Sequence, residues 1–229
     1  MIESSTYKPE KELEPKIIIE ADYNNFLPDE FKHDPFGYFE RNGQNIKSGE
    51  VKLDEMGVIK EDPTAVKKLP AWMDEKGDKL EIIGKKVNME KGKVGESGDP
   101  FYEYKIIKIV NNIGLPAPKP VAQIEQNDTH LFLMEKIGGI GWNEGSMAEL
   151  VEKGFSNEDI QILIQRGEEQ MNELKKRFEE VGIIRSWKLK DMIFDIDFKN
   201  KKINKITPTD WERTKIDHER LEKYKNKRQ

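Results

Sequence analysis

The sequence predicts an α+β fold of antiparallel hairpins and a few helices, and three stretches carry that prediction. Near the C-terminus Ile193 and Phe194 open an apolar strand, Asn200-Lys201-Lys202 turn it, and Ile203 and Ile206 return it. Between Ser156 and Val181, apolar residues recur at helical spacing. Earlier, a strand at Leu80–Val87 is followed by a helix that begins at Asp99-Pro100.

Composition sets the outer limits. A chain of 229 residues has room for one domain, or one two-lobed domain, with a real core. Its net charge of −5 is spread over many mixed charges, so bulk attraction to nucleic acid or to an anionic membrane is not indicated. There is no cysteine, so disulfides, thiolate metal sites and cysteine nucleophiles are excluded, while the redox compartment stays undetermined. Apolar runs such as Ile17–Ile19 are far too short to span a bilayer. The opening Met1-Ile2-Glu3-Ser4 lacks the basic and apolar regions of a signal peptide. The expectation is a soluble, cytoplasmic protein; a secreted effector with a non-cleaved signal would look the same.

Taken in order, residues 1–15 are polar and acidic with two prolines and read as disordered. Ile17–Tyr23 reads as a short strand. Phe26, Phe31, Phe36, Tyr38 and Phe39 then cluster in a Pro- and Gly-containing stretch and are expected to pack onto the main domain. His33-Asp34 has no second histidine or acid pair at ligand spacing, which argues against a metal there. Asn45–Lys60 alternates weakly around Gly49 and Gly57 and fits a hairpin. Pro63–Asp78, with Pro70 and Gly77, reads as a connector. Leu80, Ile82, Ile83 and Val87 mark the clearest early strand.

In the helix after Asp99-Pro100, Ile106, Ile107, Val110 and Ile113 form the apolar face, and Gly114 with Pro116 ends it. Glu103 precedes Ile106, Ile107 and Val110 by three, four and seven residues, so it falls on that apolar stripe. A carboxylate pointing inward needs a cation, because an unpaired buried charge costs several kcal/mol. Two further strands flank the Asn127-Asp128 turn, and the second, Leu131–Glu135, runs into Ile137-Gly138-Gly139. The long helix is capped by Ser156 with Asp159 three residues on, and Gly182 stops it. After the C-terminal hairpin, Asp210 stands at the strand's exit and Asp191 at its entry. Two acids at one end of a ribbon suit Mg²⁺, which takes one or two carboxylates and leaves its other positions to water and phosphate oxygens. The chain closes with a mixed-charge helix, Asp217–Arg228.

The order of these pieces over about residues 80–212 resembles the protein-kinase-like superfamily, nearer its aminoglycoside-type small-molecule kinases than its protein kinases. Ile82-Ile83-Gly84-Lys85-Lys86-Val87 is similar to the strand carrying the phosphate-contacting lysine. Gly114-Leu115-Pro116-Ala117-Pro118-Lys119-Pro120 followed by Leu133-Met134-Glu135 is similar to the run into the hinge. Ile184–Ile193 lies along the catalytic loop H-R-D-L-K-P-E-N-I-L, and Thr209-Asp210-Trp211-Glu212 takes the place of D-F-G as D-W-E.

The resemblance implies a two-lobed fold. Residues 1–45 would be an N-terminal extension, 46–137 an N-lobe with a small antiparallel sheet and one helix, and 138–229 a truncated C-lobe with a β-hairpin. It implies ATP and Mg²⁺ as ligands and an unidentified small-molecule or protein acceptor. Lys85 paired with Glu103 would hold phosphates, the backbone at Glu135 and Ile137 the adenine, and Asp191 and Asp210 the metal. Ser186 and Lys188 would stand at the transferred phosphate. The departures are specific. Ser186 replaces the catalytic aspartate, Asp191 the metal-binding asparagine, and Ile184 the histidine. No G-x-G-x-x-G loop precedes Lys85. A register shifted by one places Trp187 and Met192 at the first two positions, which is chemically worse. Three readings follow: a weak or altered phosphotransferase, a pseudokinase acting as a binding module, and an unrelated α+β interaction domain.

Overall fold

A computed structural model describes residues 14–47, 51–53, 59–61, 64–88, 99–142 and 144–227. Chain order begins with β1 (Lys16–Ile19), a 3-10 turn at Ala21–Phe26, α1 (Asp29–His33) and α2 (Pro35–Asn42). Then come β2 (Gln44–Lys47), β3 (Val51–Leu53), β4 (Ile59–Glu61), β5 (Thr64–Lys68), β6 (Trp72–Met73), β7 (Lys79–Leu80) and β8 (Ile82–Asn88). The middle holds α3 (Tyr102–Asn112), β9 (Pro120–Gln126), β10 (Thr129–Glu135), β11 (Ile140–Gly141), α4 (Glu144–Glu152) and α5 (Asn157–Glu180). Last are β12 (Ile183–Ile184), β13 (Met192–Asp197), β14 (Lys202–Pro208), β15 (Lys215–Ile216) and α6 (His218–Asn226).

The fold is mixed α and β with antiparallel sheets, as expected. The principal sheet is six-stranded in the order β1-β9-β10-β8-β5-β2. Its two faces are covered differently. Leu131, Leu133, Ile82, Val121 and Ile124 pack against Phe31, Tyr38, Phe39 and Trp72, which α1, α2 and the β6–β7 hairpin bring to one face. The N-terminal aromatics therefore dock where expected. On the other face α3 lies against β9, and Tyr104 of α3 meets Phe132 of β10 edge-on at 6.0 Å.

A second core gathers the inner face of α3 with α4, α5, α6 and a three-stranded sheet in the order β11-β13-β14. Ser156 and Asp159 form the capping box of α5. At Gly167 the helix approaches the hairpin so closely that an added Cβ would lie 2.9 Å from the Phe194 ring. Small size, not backbone freedom, is what that glycine supplies.

Several expectations need correction. The Pro63–Asp78 connector contains β5, an interior strand between β2 and β8. Its polar residues hide it, because Lys67 is buried only through a 2.5 Å ion pair with Glu40. The hairpin expected over Asn45–Lys60 is narrower: β3 pairs with β4, whereas β2 pairs with β5. Ile17–Tyr23 is a strand only to Ile19 before the 3-10 turn. The α3 helix starts at Tyr102, and Asp99 instead accepts the Phe101 amide at 2.9 Å. Of the disordered reading for residues 1–15, positions 1–13 lie outside the described residues. Among the described residues, no helix is long and apolar enough to cross a membrane.

Phe194 is fully buried between Trp142 at 4.9 Å and Gly167. Phe194→Ala is expected to cost about 3–5 kcal/mol, read as a lowered urea midpoint at unchanged slope. His130, on β10, has a buried Nδ1 without a partner and sits edge-on to Phe101. Burial holds its pKa below the ordinary value, against the opposing pull of Glu125, Asp128 and Asp99. The unfolded chain thus binds this proton more tightly, and stability should fall as pH drops below about 6.5. His130→Gln should flatten that slope in melting curves taken between about pH 7.5 and about pH 5.5.

Candidate functional site

Alternation along β8 places Lys85. Gly84 faces α2, where an added Cβ would lie 2.8 Å from the Phe39 ring, and Lys86 on the same side pairs with Glu40. Lys85 therefore points to the opposite face, toward α3. Its Nζ donates to Glu103 Oε2 at 2.5 Å and also to Glu212 Oε1. Lys85 and Glu103 are each 7 % exposed. Glu103 accepts a second bond at Oε1, 3.3 Å from the Trp211 amide. Burial alone pulls the Lys85 ammonium down, but Glu103 and Glu212 outweigh it and hold its pKa above the ordinary lysine value.

The three groups line one cavity of about 490 Å³. Ile46, Val66, Ile83, Met134 and Ile193 supply its apolar walls, and Glu135, Ile137 and Asp210 also line it. The Glu135 carboxylate is engaged at its edge, accepting from Tyr23 Oη at 2.7 Å. Burial, then that bond, raises the Tyr23 phenol above its ordinary value. Among the described residues the Ile137 amide has no protein acceptor.

The C-terminal hairpin brings its two acids to one end. Met192 pairs with Pro208, and the Thr209 amide donates to the Asp191 carbonyl at 2.8 Å. Asp191 and Asp210 thus leave the ribbon together. Asp210 takes a φ of +26°, a strained value for a side-chain-bearing residue. Arg185 explains how that backbone is held. Its guanidinium is buried over the rings of Trp211 and Trp187, at 4.6 and 5.2 Å, and its Nη2 donates to the Asp210 carbonyl at 3.1 Å. Burial lowers Arg185 to about 10 despite Asp210, Asp191 and Glu103 nearby, and its Nη1 has no partner.

Of the predicted site residues, Lys85, Glu103, Glu135, Ile137 and Asp210 meet at the cavity. Ser186, Lys188 and Asp191 are not among its walls. Ser186 and Lys188 are exposed on the loop after β12, and Asp191 is half-buried. Among the described residues there is no cluster of three or more potential metal ligands. The donors that could serve Mg²⁺ are the Asp191 and Asp210 carboxylates, which bond to no described side chain. A pair of hard oxygen donors fits that ion's modest demand on protein ligands.

Glu212 was missed, although it belongs to the matched D-W-E; its reach to Lys85 depends on a turn that periodicity does not reveal. Arg185 was matched but given no role. Val66 was hidden in the supposed connector. The chain matches no known protein-family profile and no curated protein.

Removing one member of the buried pair leaves the other charge uncompensated. Lys85→Met is expected to cost about 3–5 kcal/mol in urea unfolding. Adding Glu103→Gln should recover part of that, giving a coupling of about 0.5–3 kcal/mol.

Proposed function

We propose that this protein binds Mg·ATP in the cavity after the manner of the protein-kinase-like superfamily, and transfers phosphate weakly or by an altered route. The observation that carries this reading is Lys85 bonded to Glu103 in a cavity that Asp210 also lines. Two further features support it. The apolar walls from Ile46, Val66, Ile83, Met134 and Ile193 suit the faces of a flat base, and the Ile137 amide is free for its edge. The six-stranded sheet, through Val66, Ile83 and Met134, and the C-terminal hairpin, through Ile193 and Asp210, both supply residues to the cavity, as a site between two lobes would require.

In this reading Lys85 neutralises phosphate oxygens, Glu103 fixes the lysine, and Arg185 orients Asp210 as a positioning residue. Bound Mg²⁺ would neutralise phosphate charge, held by Asp210 and Asp191. Positioning and charge neutralisation are most of what phosphoryl transfer requires. The loop Ile184–Lys190 carries no acid and no histidine. Without a general base there, the rate for a hydroxyl acceptor falls by ~10²–10⁴. Exposed Ser186 in that loop equally favours a second reading, a pseudokinase that binds nucleotide and acts through its surface.

Thermal melting with Mg·ATP tests both. Saturation to about 100-fold above Kd adds ~2.7 kcal/mol. At about 2–4 °C per kcal/mol for a chain of this size, Tm should rise by roughly 5–11 °C. Lys85→Ala and Asp210→Ala should lose most of that rise. No shift in the wild type at millimolar nucleotide rejects the reading, and a shift without transfer to any acceptor selects the pseudokinase.

A further inference from the structure

Lys85 has two carboxylate partners, and they are held very differently. Glu103 has a side chain 9 % exposed and a second anchor in the Trp211 amide. Glu212 has a side chain 35 % exposed, and among the described residues Lys85 is its one bonding partner. The turn that carries Glu212 is moored on both sides. Trp211 is 1 % exposed, and buried Thr214 closes the turn by donating its amide to the Trp211 carbonyl at 3.1 Å. Tyr102 Oη donates to the Thr214 carbonyl at 2.5 Å. Side-chain rotation can therefore move the Glu212 carboxylate off Lys85 while the backbone stays in place.

We infer that Glu212 is a specificity-determining residue whose carboxylate occupies, on Lys85, the position that a phosphate oxygen of a bound nucleotide must take. This rests on the nucleotide reading of the cavity and adds a condition to it. An ammonium has three donors, and two already serve carboxylates, so the cluster of Lys85, Glu103 and Glu212 carries net negative charge before any ligand arrives. A phosphate chain entering the cavity meets that charge and must displace the half-exposed carboxylate. A bare nucleoside fills the apolar part of the cavity without touching Lys85. Glu212 thus penalises phosphorylated ligands and leaves nucleosides unaffected, and it sets the threshold concentration at which nucleotide is admitted.

The experiment is calorimetric titration of the full chain with adenosine, Mg·ADP and Mg·ATP, comparing wild type with Glu212→Gln and Glu212→Ala. Both variants should bind Mg·ADP and Mg·ATP at least about tenfold more tightly than wild type, with adenosine affinity unchanged. A change in the cavity's general shape would move adenosine as well, so a parallel gain for all three ligands overturns the inference. Wild-type binding of Mg·ATP with equal or weaker binding by both variants also overturns it, while leaving the nucleotide reading intact. Wild-type nucleotide binding only near millimolar concentration, with both variants binding at least about tenfold below it, supports it. Silence of all three proteins toward every ligand removes the nucleotide reading and this inference with it. Melting curves without ligand confirm that each variant is folded, and the alanine variant covers any substitution-specific loss.

Discussion

The buried ion pair of Lys85 and Glu103 is the constraint to which the rest of the molecule conforms. Taking two charges out of water is expensive, and a well-packed apolar pair of similar volume would stabilise the fold at least as well. Such a pair is therefore weak evidence of stability and needs support on every side. β8 must turn alternate residues to opposite faces, α3 must carry a carboxylate on its apolar stripe, and the segment after β14 must bring the Trp211 amide to the second oxygen. The Phe132 ring lies 5.9 Å from the ammonium and excludes solvent from beside it. Together these requirements fix how α3 sits against the sheet and how the C-terminal hairpin reaches α3.

Arg185 repeats the theme behind Asp210. A guanidinium buried over two tryptophan rings tolerates its desolvation because flat apolar surfaces cover its faces and a carbonyl accepts from its edge. What it holds is the backbone of Asp210 in a strained conformation. That arrangement makes sense where the direction of one carboxylate matters more than local stability.

Much of this was legible in the sequence wherever a local rule had one answer. Ser156 and Asp159 marked the start of α5, and the spacing of Glu103 from Ile106, Ile107 and Val110 placed its carboxylate inward. Asn200–Lys202 marked the turn between β13 and β14. The rest depended on contacts between distant residues. Lys67 looks like a surface residue of a connector until Glu40 arrives from α2 to neutralise it. The β1 strand is too short to predict its place beside β9, and α4 has no strong apolar periodicity to announce it. Glu212 escaped because its partner is 127 residues away and its placement is set by the moorings of Trp211 and Thr214.

Phe39 presses on Gly84, and Glu40 grips both Lys86 and Lys67, so α2 is clamped to the reverse of the strand whose front carries Lys85. The same strand thus carries the grip of α2 on one face and the ammonium of the candidate site on the other, so the placement of the amino-terminal helix and that of the ammonium share one backbone.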